Sequence, residues 1–369
     1  FGEWCVELEL PDKESLKTGL YEGIFLTGLE KNSDIVTMMS YAPFINNLGW
    51  QDRKPNMIGF DLDRVYGAPI YWIQRMYAEN AVSQLLPFKV ESPEFRPPKI
   101  GSIGLGSQNT EVEFKDVLVT APDGKVLFDG NASKPGDWMT FGKKEKGAPQ
   151  PADGVIKLAG EGNRKMLTKE AFGGDYTLTL KARKLGGKNG FHIYFDTYFN
   201  SNNFWQIAGD GNRSSKIVGD GFMKTDIPKF SVEDGRWYDL KLEKKGDDIR
   251  CFIDGAPVNA TSYKPLQSLY ASAGRDDSGA VILKVVNPTP EARKTRLRLA
   301  GADIAPRGEA TILTSSDPLA KNSRENPENV VPRTQPLAGV SGDFEYSFPA
   351  YSATVLKIPS NTHKQSKQP

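Results

Sequence analysis

At 369 residues, 38% hydrophobic and 25% charged, the chain can bury substantial cores and has the length of two or three domains. A formal net charge of +1, with no basic stretch interleaved with aromatics, argues against nucleic acid as a partner. No apolar run approaches the roughly 18 residues of a spanning helix, so no membrane partner is expected.

Phe1 to Leu10 reads as a strand. Gly19 onward reads as a helix, with Leu16, Leu20 and Ile24 at i, i+4 and Tyr21, Phe25 and Leu29 widening the stripe. Gly19, Gly23 and Gly28 each cost roughly 1 kcal/mol of helix propensity relative to Ala, tolerable where a helix must sit close to a sheet. Asn32 is the expected stop. Asp34 to Ser40 then reads as a buried strand, short and apolar without strict alternation. An irregular loop, Tyr41 to Asn56, leads to a second helix opening at Ala68-Pro69, with Ile70, Ile73, Met76, Tyr77 and Ala81 inside. The first 86 residues are thus β-α-β-loop-α, two units of a parallel α/β fold.

From Phe88 the pattern changes to short strands and turns. Strands are expected at 269–273, 280–286, 292–300, 308–313, 343–348 and 352–358, forming an antiparallel sandwich, with a disordered tail at 359–369. Between its parts, 101–265 alternates cleanly. The inward sets are Tyr176, Leu178, Leu180 and Ala182; Phe191, Ile193 and Phe195; Tyr238, Leu240 and Leu242; and Ile249, Cys251 and Ile253. Period 2 over many short segments predicts an all-β sandwich of jelly-roll type.

Two stretches, GLEKNSDIVTMMSYAPFINN and NMIGFDLDRVYGAPIYWIQRMY, closely resemble the end of the (β/α)8 barrel in family 51 glycoside hydrolases, the α-L-arabinofuranosidases. LKVVN, TILTSSD, ENPENVVP and FPAYSATVLKI resemble the C-terminal sandwich of the same family. The resemblance implies a multidomain α/β plus all-β chain. Residues 1–86 would be the last two βα units of the catalytic barrel, with the opening strand as strand seven and Asp34 to Ser40 as strand eight. Residues 87–100 and 266–358 would be a discontinuous C-terminal β-sandwich. Residues 101–265, through IGLGSQNTEVEFKDVLVT and NNFWQIAGDGN, resemble an inserted concanavalin-like module. Two βα units cannot close a barrel, so the chain reads as a fragment of a longer enzyme.

FGEW resembles the strand-seven segment whose acidic residue is the family's nucleophile, which makes Glu3 the candidate catalytic residue. A carboxylate near the C-terminal end of a barrel strand points into the mouth where such sites lie. Retaining glycosidases need a second carboxyl about 5–5.5 Å away as acid and base. In the family it belongs to an Asn-Glu pair on strand four, which this chain lacks, so the fragment is expected to be inactive by itself. Glu7 and Glu9 read as surface charge.

Tyr41, Asn46 and Trp50 follow strand eight and either line the sugar pocket or are ordinary loop residues. The loop departs from the family, with Arg53-Lys54-Pro55-Asn56 where Trp-Asn-Pro-Asp is usual. In 101–265, Asn203, Trp205 and Arg213 form a candidate carbohydrate platform, against the alternative of core aromatics plus turn residues.

Cys5 and Cys251 lie outside any CxxC or metal spacing and read as buried small hydrophobes. With only His192 and His363 present, Ser-His-Asp, Cys-His and zinc chemistries are disfavoured, and no cofactor or metal is expected. The resemblance implies hydrolysis of terminal non-reducing α-L-arabinofuranosyl residues in arabinan or arabinoxylan with retention of configuration. The expected partner is a plant cell-wall polysaccharide or arabino-oligosaccharide, in a secreted or periplasmic setting. Family members often oligomerise, though no interface is legible here. The alternative from a different class is a non-catalytic carbohydrate-binding or structural β protein.

Overall fold

The computed structural model describes residues 2–6, 12–50, 55–141, 154–197, 203–219, 221–223 and 225–361. It divides into two compact units, Phe1–Phe95 with Leu266–Pro369, and Arg96–Pro265.

The first unit opens with β1 (Glu3–Trp4), α1 (Leu16–Lys31) and β2 (Ser40–Tyr41), and β1 pairs with β2 in parallel. Ser15 caps α1 by accepting the Thr18 N–H, and Asn32 ends it. A small sheet follows, β3 (Ile45–Asn47), β4 (Ile58–Phe60) and β5 (Val65–Gly67). Helix α2 (Pro69–Glu79) then starts with Pro at its first turn and buries Ile70, Ile73, Met76 and Tyr77. Two glycines of α1 take close approaches, Gly19 against α2 and Gly23 against both the sheet and α2. A Cβ on Gly19 would stand 3.2 Å from Ile70 N and Ile73 Cδ1, and one on Gly23 would stand 3.2 Å from Val286 Cγ2. Gly28 faces open space.

Of the strand expected over Phe1 to Leu10 only Glu3–Trp4 forms among the described residues, and the loop expected from Tyr41 to Asn56 contains β3. Two further expectations fail here. Asp34–Ser40 is not a buried strand: residues 32–35 are turn, only Ser40 pairs, and Ile35 and Met38 are each 76% exposed. A buried strand needs a hydrogen-bonding neighbour along its length, and β1 supplies one only at Ser40 and Tyr41. Ala81 lies beyond the end of α2 and is exposed.

The rest of this unit is antiparallel. Six strands lie in the order 333–338, 307–314, 352–358, 281–287, 270–275, 84–85. Alternation gives this sheet two apolar faces. Ile282, Val286, Leu313, Ala353 and Val355 pack with Leu16, Leu20, Ile73 and Met76 of the helices. Val281, Val285, Ala310, Leu356 and Ile358 pack with Phe344 and Phe348 from the ribbon that 343–348 makes with 293–298. Lys284, 1% exposed, crosses to pair with Glu30 of α1. The expected tail at 359–369 lies outside the described residues from 362 onward; before that, Ser360 and Asn361 hydrogen-bond to Asp303 and Ile304 and belong to the sandwich.

Among the described residues the second unit holds two seven-stranded sheets. One is built on 110–120, 176–187, 237–245 and 248–253; the other is centred on 100–108 and 191–197. The inward sets named above, from Tyr176 through Ile253, fill one apolar core between them.

Candidate functional site

Strand β1 sets the candidate site by alternation. Trp4 points inward, its ring 4.8 Å from Phe25 and 5.3 Å from Tyr41, and Glu3 therefore points outward and is exposed. The ladder is short: Glu3 stands opposite Ser40, Trp4 opposite Tyr41, and Ala42 N donates to Trp4 O at 3.1 Å.

Tyr41, a candidate for the sugar pocket, has its hydroxyl committed elsewhere. It donates to Glu22 Oε1 of α1 at 3.0 Å, and burial, with the Glu22 carboxyl behind it, pushes the phenol far above its ordinary range. Asn46 sits on β3, in a sheet separate from that of β1 and β2. It is buried, and its Oδ1 has no partner among the described residues. Trp50 is 85% exposed. Of the departing loop segment, residues 53 and 54 lie outside the described residues, as do Glu7 and Glu9. Asn56 is buried, its backbone and side-chain amides donating to Glu14.

The platform expected at Asn203, Trp205 and Arg213 is not formed. Trp205 is fully buried, stands opposite Ile193 and Ile217 in its sheet, and donates its indole N–H to Ser215 and Asn259. A large aromatic with its polar atom satisfied inside the core cannot offer a face to sugar. Asn203 donates to the Asp196 carbonyl at 3.0 Å, and Arg213 is exposed. On the other face of the same strands His192, Tyr194 and Phe204 bring their rings 4.7 to 6.2 Å apart, with His192 and Tyr194 buried. Among the described residues no group of acidic, histidine or cysteine side chains could hold a metal ion, and no helix is long and apolar enough to cross a membrane.

A family model described as the alpha-L-arabinofuranosidase C-terminal domain matches residues 2–352. The chain belongs to that family. An extracellular exo-alpha-L-arabinofuranosidase of Streptomyces chartreusis is 32% identical over 355 residues, covering 93% of this chain and 42% of that protein. Alpha-L-arabinofuranosidase 1 of Arabidopsis thaliana is 31% identical over 181 residues, covering 43% of this chain and 26% of its own length. The solved GH51 alpha-L-arabinofuranosidase from Thermotoga petrophila matches 97% of this chain and 42% of its own at 14% identity, with a TM-score of 0.45. The chain therefore spans less than half the length of these relatives, and the resemblance to the C-terminal part of family 51 arabinofuranosidases stands.

One further residue at this site becomes visible only in the fold. Glu22 is fully buried on α1, and its Oε1 accepts from both Tyr41 and the Val6 N–H. Its signal was present: an acidic residue flanked at i−3 and i+4 by Gly19 and Leu26, both on the inner face of the helix.

Proposed function

We propose that this chain is the C-terminal part of a retaining α-L-arabinofuranosidase. The parent removes terminal non-reducing α-L-arabinofuranosyl residues from arabinan or arabinoxylan. β1 and β2 are its barrel strands seven and eight, and the unit 96–265, which starts five residues before the expected 101, is a concanavalin-like module inserted into the sandwich. Glu3 is the nucleophile. The observation that carries this is an exposed carboxylate on a strand that pairs in parallel with β2 across α1, inside a stretch the family model matches. The exposed Met38 and Met39 leading into β2 are apolar surface that further barrel units would cover.

In this mechanism the Glu3 carboxylate attacks the anomeric carbon, the bond to the leaving oxygen breaks as a partner acid protonates it, and water then releases the glycosyl-enzyme. The partner carboxyl, about 5–5.5 Å away in such sites, comes from the portion of the relatives that this chain does not span. The chain by itself does not turn over substrate. The parent is secreted, in keeping with the extracellular Streptomyces relative.

The test is Glu3→Gln in the full-length protein. The substitution keeps the volume and removes the attacking charge, so substrate binding persists and turnover collapses. Near-normal turnover would remove Glu3 from the role.

A further inference from the structure

The carboxyl of Glu22 takes no part in the chemistry above, yet it is placed where the two strands of the candidate site meet. Its Oε1 accepts two hydrogen bonds, from the Val6 backbone N–H at 3.1 Å and from the Tyr41 hydroxyl at 3.0 Å. Val6 lies three residues beyond Glu3, and Tyr41 ends β2. The side chain is fully buried, and its Oε2 has no partner among the described residues. None of the described cations pairs with it: on the elements packed against α1, Lys284 is engaged by Glu30, and Tyr77 donates to the Gly23 carbonyl. Tyr41 is the ionisable group in contact, and Cys5 and Glu14 act on Tyr41 from beyond it. Burying a carboxyl with one oxygen unpartnered costs stability, which the two hydrogen bonds to the other oxygen offset only in part.

What needs holding is evident. The ladder between β1 and β2 is two residue pairs long, too short to fix its own register. One oxygen that accepts a donor from the chain just beyond β1 and another from the end of β2 ties both to the same point on α1. Phe25, one turn further along α1, completes the grip by packing on Trp4, the neighbour of Glu3.

We propose that Glu22 is a positioning residue, clamping the chain that leaves β1 to the end of β2 and so fixing where Glu3 presents its carboxylate. The clamp deepens the reading above and rests on the assignment of Glu3. Burial pushes the Glu22 carboxyl up to about 8, against the pull of its hydrogen bonds from Val6 and Tyr41, so it is neutral at pH 7. A glutamine at this position keeps the accepting carbonyl and cannot ionise.

The experiment compares Glu22→Gln and Glu22→Ala in the full-length protein. It reads hydrogen exchange at the Val6 amide, kcat and KM separately, and Tm against pH. In Glu22→Ala, Val6 exchange accelerates and kcat falls by about tenfold or more, with KM within about threefold. Glu22→Gln restores both. Wild-type Tm falls relative to Glu22→Gln as pH rises from 4.5 to about 8, because the folded state alone holds the proton in that window. Unchanged Val6 protection in Glu22→Ala overturns the clamp. Val6 released with kcat undiminished, in a protein that Glu3→Gln inactivates, overturns the positioning role. If Glu3→Gln stays active while Val6 is released, the Glu3 assignment falls and the clamp stands. Should Glu22→Ala fail to fold, Tyr41→Phe removes one clamped donor. A lowered kcat then supports the clamp, and a raised KM alone returns Tyr41 to the sugar pocket and overturns it.

Discussion

Lys244 Nζ donates to Asp196 Oδ1 across 2.8 Å, with each side chain only 2% exposed. The pair joins the two sheets of the second unit, since Lys244 belongs to strand 237–245 and Asp196 to strand 191–197. Every strong group in it is satisfied. Asp196 also accepts the hydroxyls of Tyr176 at 3.1 Å and Tyr263 at 3.0 Å, and Lys244 also donates to the Lys99 carbonyl at 3.0 Å. Removing one member of such a pair strands a buried charge. Asp196→Asn should therefore destabilise this unit by about 3–5 kcal/mol, read as a shift of its urea midpoint. A change under about 1 kcal/mol would mean that water reaches the pair.

His192 gives the same unit an acid sensitivity. Burial, helped by the charge of Lys216, pulls the imidazole down to about 4. The unfolded chain binds its proton near pH 6.5 and the folded chain does not, so stability is present above 6.5 and is lost as pH falls to about 4. Wild-type protein should lose up to about 3 kcal/mol more than His192→Phe across that window. Parallel pH profiles for the two proteins would show that the ring is not held neutral.

A strand pair closes the first unit where the chain leaves it and returns. Phe95 and Leu266, the last residue before the second unit and the first after it, stand directly opposite each other in antiparallel register. A tight turn of about two residues can join such ends. Replacing 96–265 by a short Gly/Ser turn should leave the first unit with a single cooperative unfolding transition, and the excised 96–265 should fold alone. Loss of cooperativity in the shortened chain would mean that the units share stabilising contacts.

Local patterns were the legible part. Strands 343–348 and 352–358 fall where alternation put them, and the inward sets from Tyr176 to Ile253 face the core, because period 2 is written in neighbouring residues. Asp34–Ser40 misled for the converse reason: an apolar run has the same composition whether or not a neighbour covers it. Trp205 looked like a platform beside its Asn and Gly neighbours, and only its non-local register against Ile193 and Ile217 turns it inward. Glu22 was hidden because an acidic residue inside a helix reads as solvated until its two distant donors, Val6 and Tyr41, are brought to it.

Chemical rescue shows whether Glu3 is the group that attacks the anomeric carbon. Removing a nucleophile withdraws a covalent step, and each 1.4 kcal/mol or so of barrier is tenfold in rate. Glu3→Gly in the full-length protein should be nearly inactive and should regain turnover when azide is added. The small anion enters the vacated space and attacks in place of the carboxylate, so the product should be an arabinosyl azide of inverted configuration. An azide of retained configuration would mean that the anion intercepted a glycosyl-enzyme formed by another residue, and would contradict the assignment of Glu3.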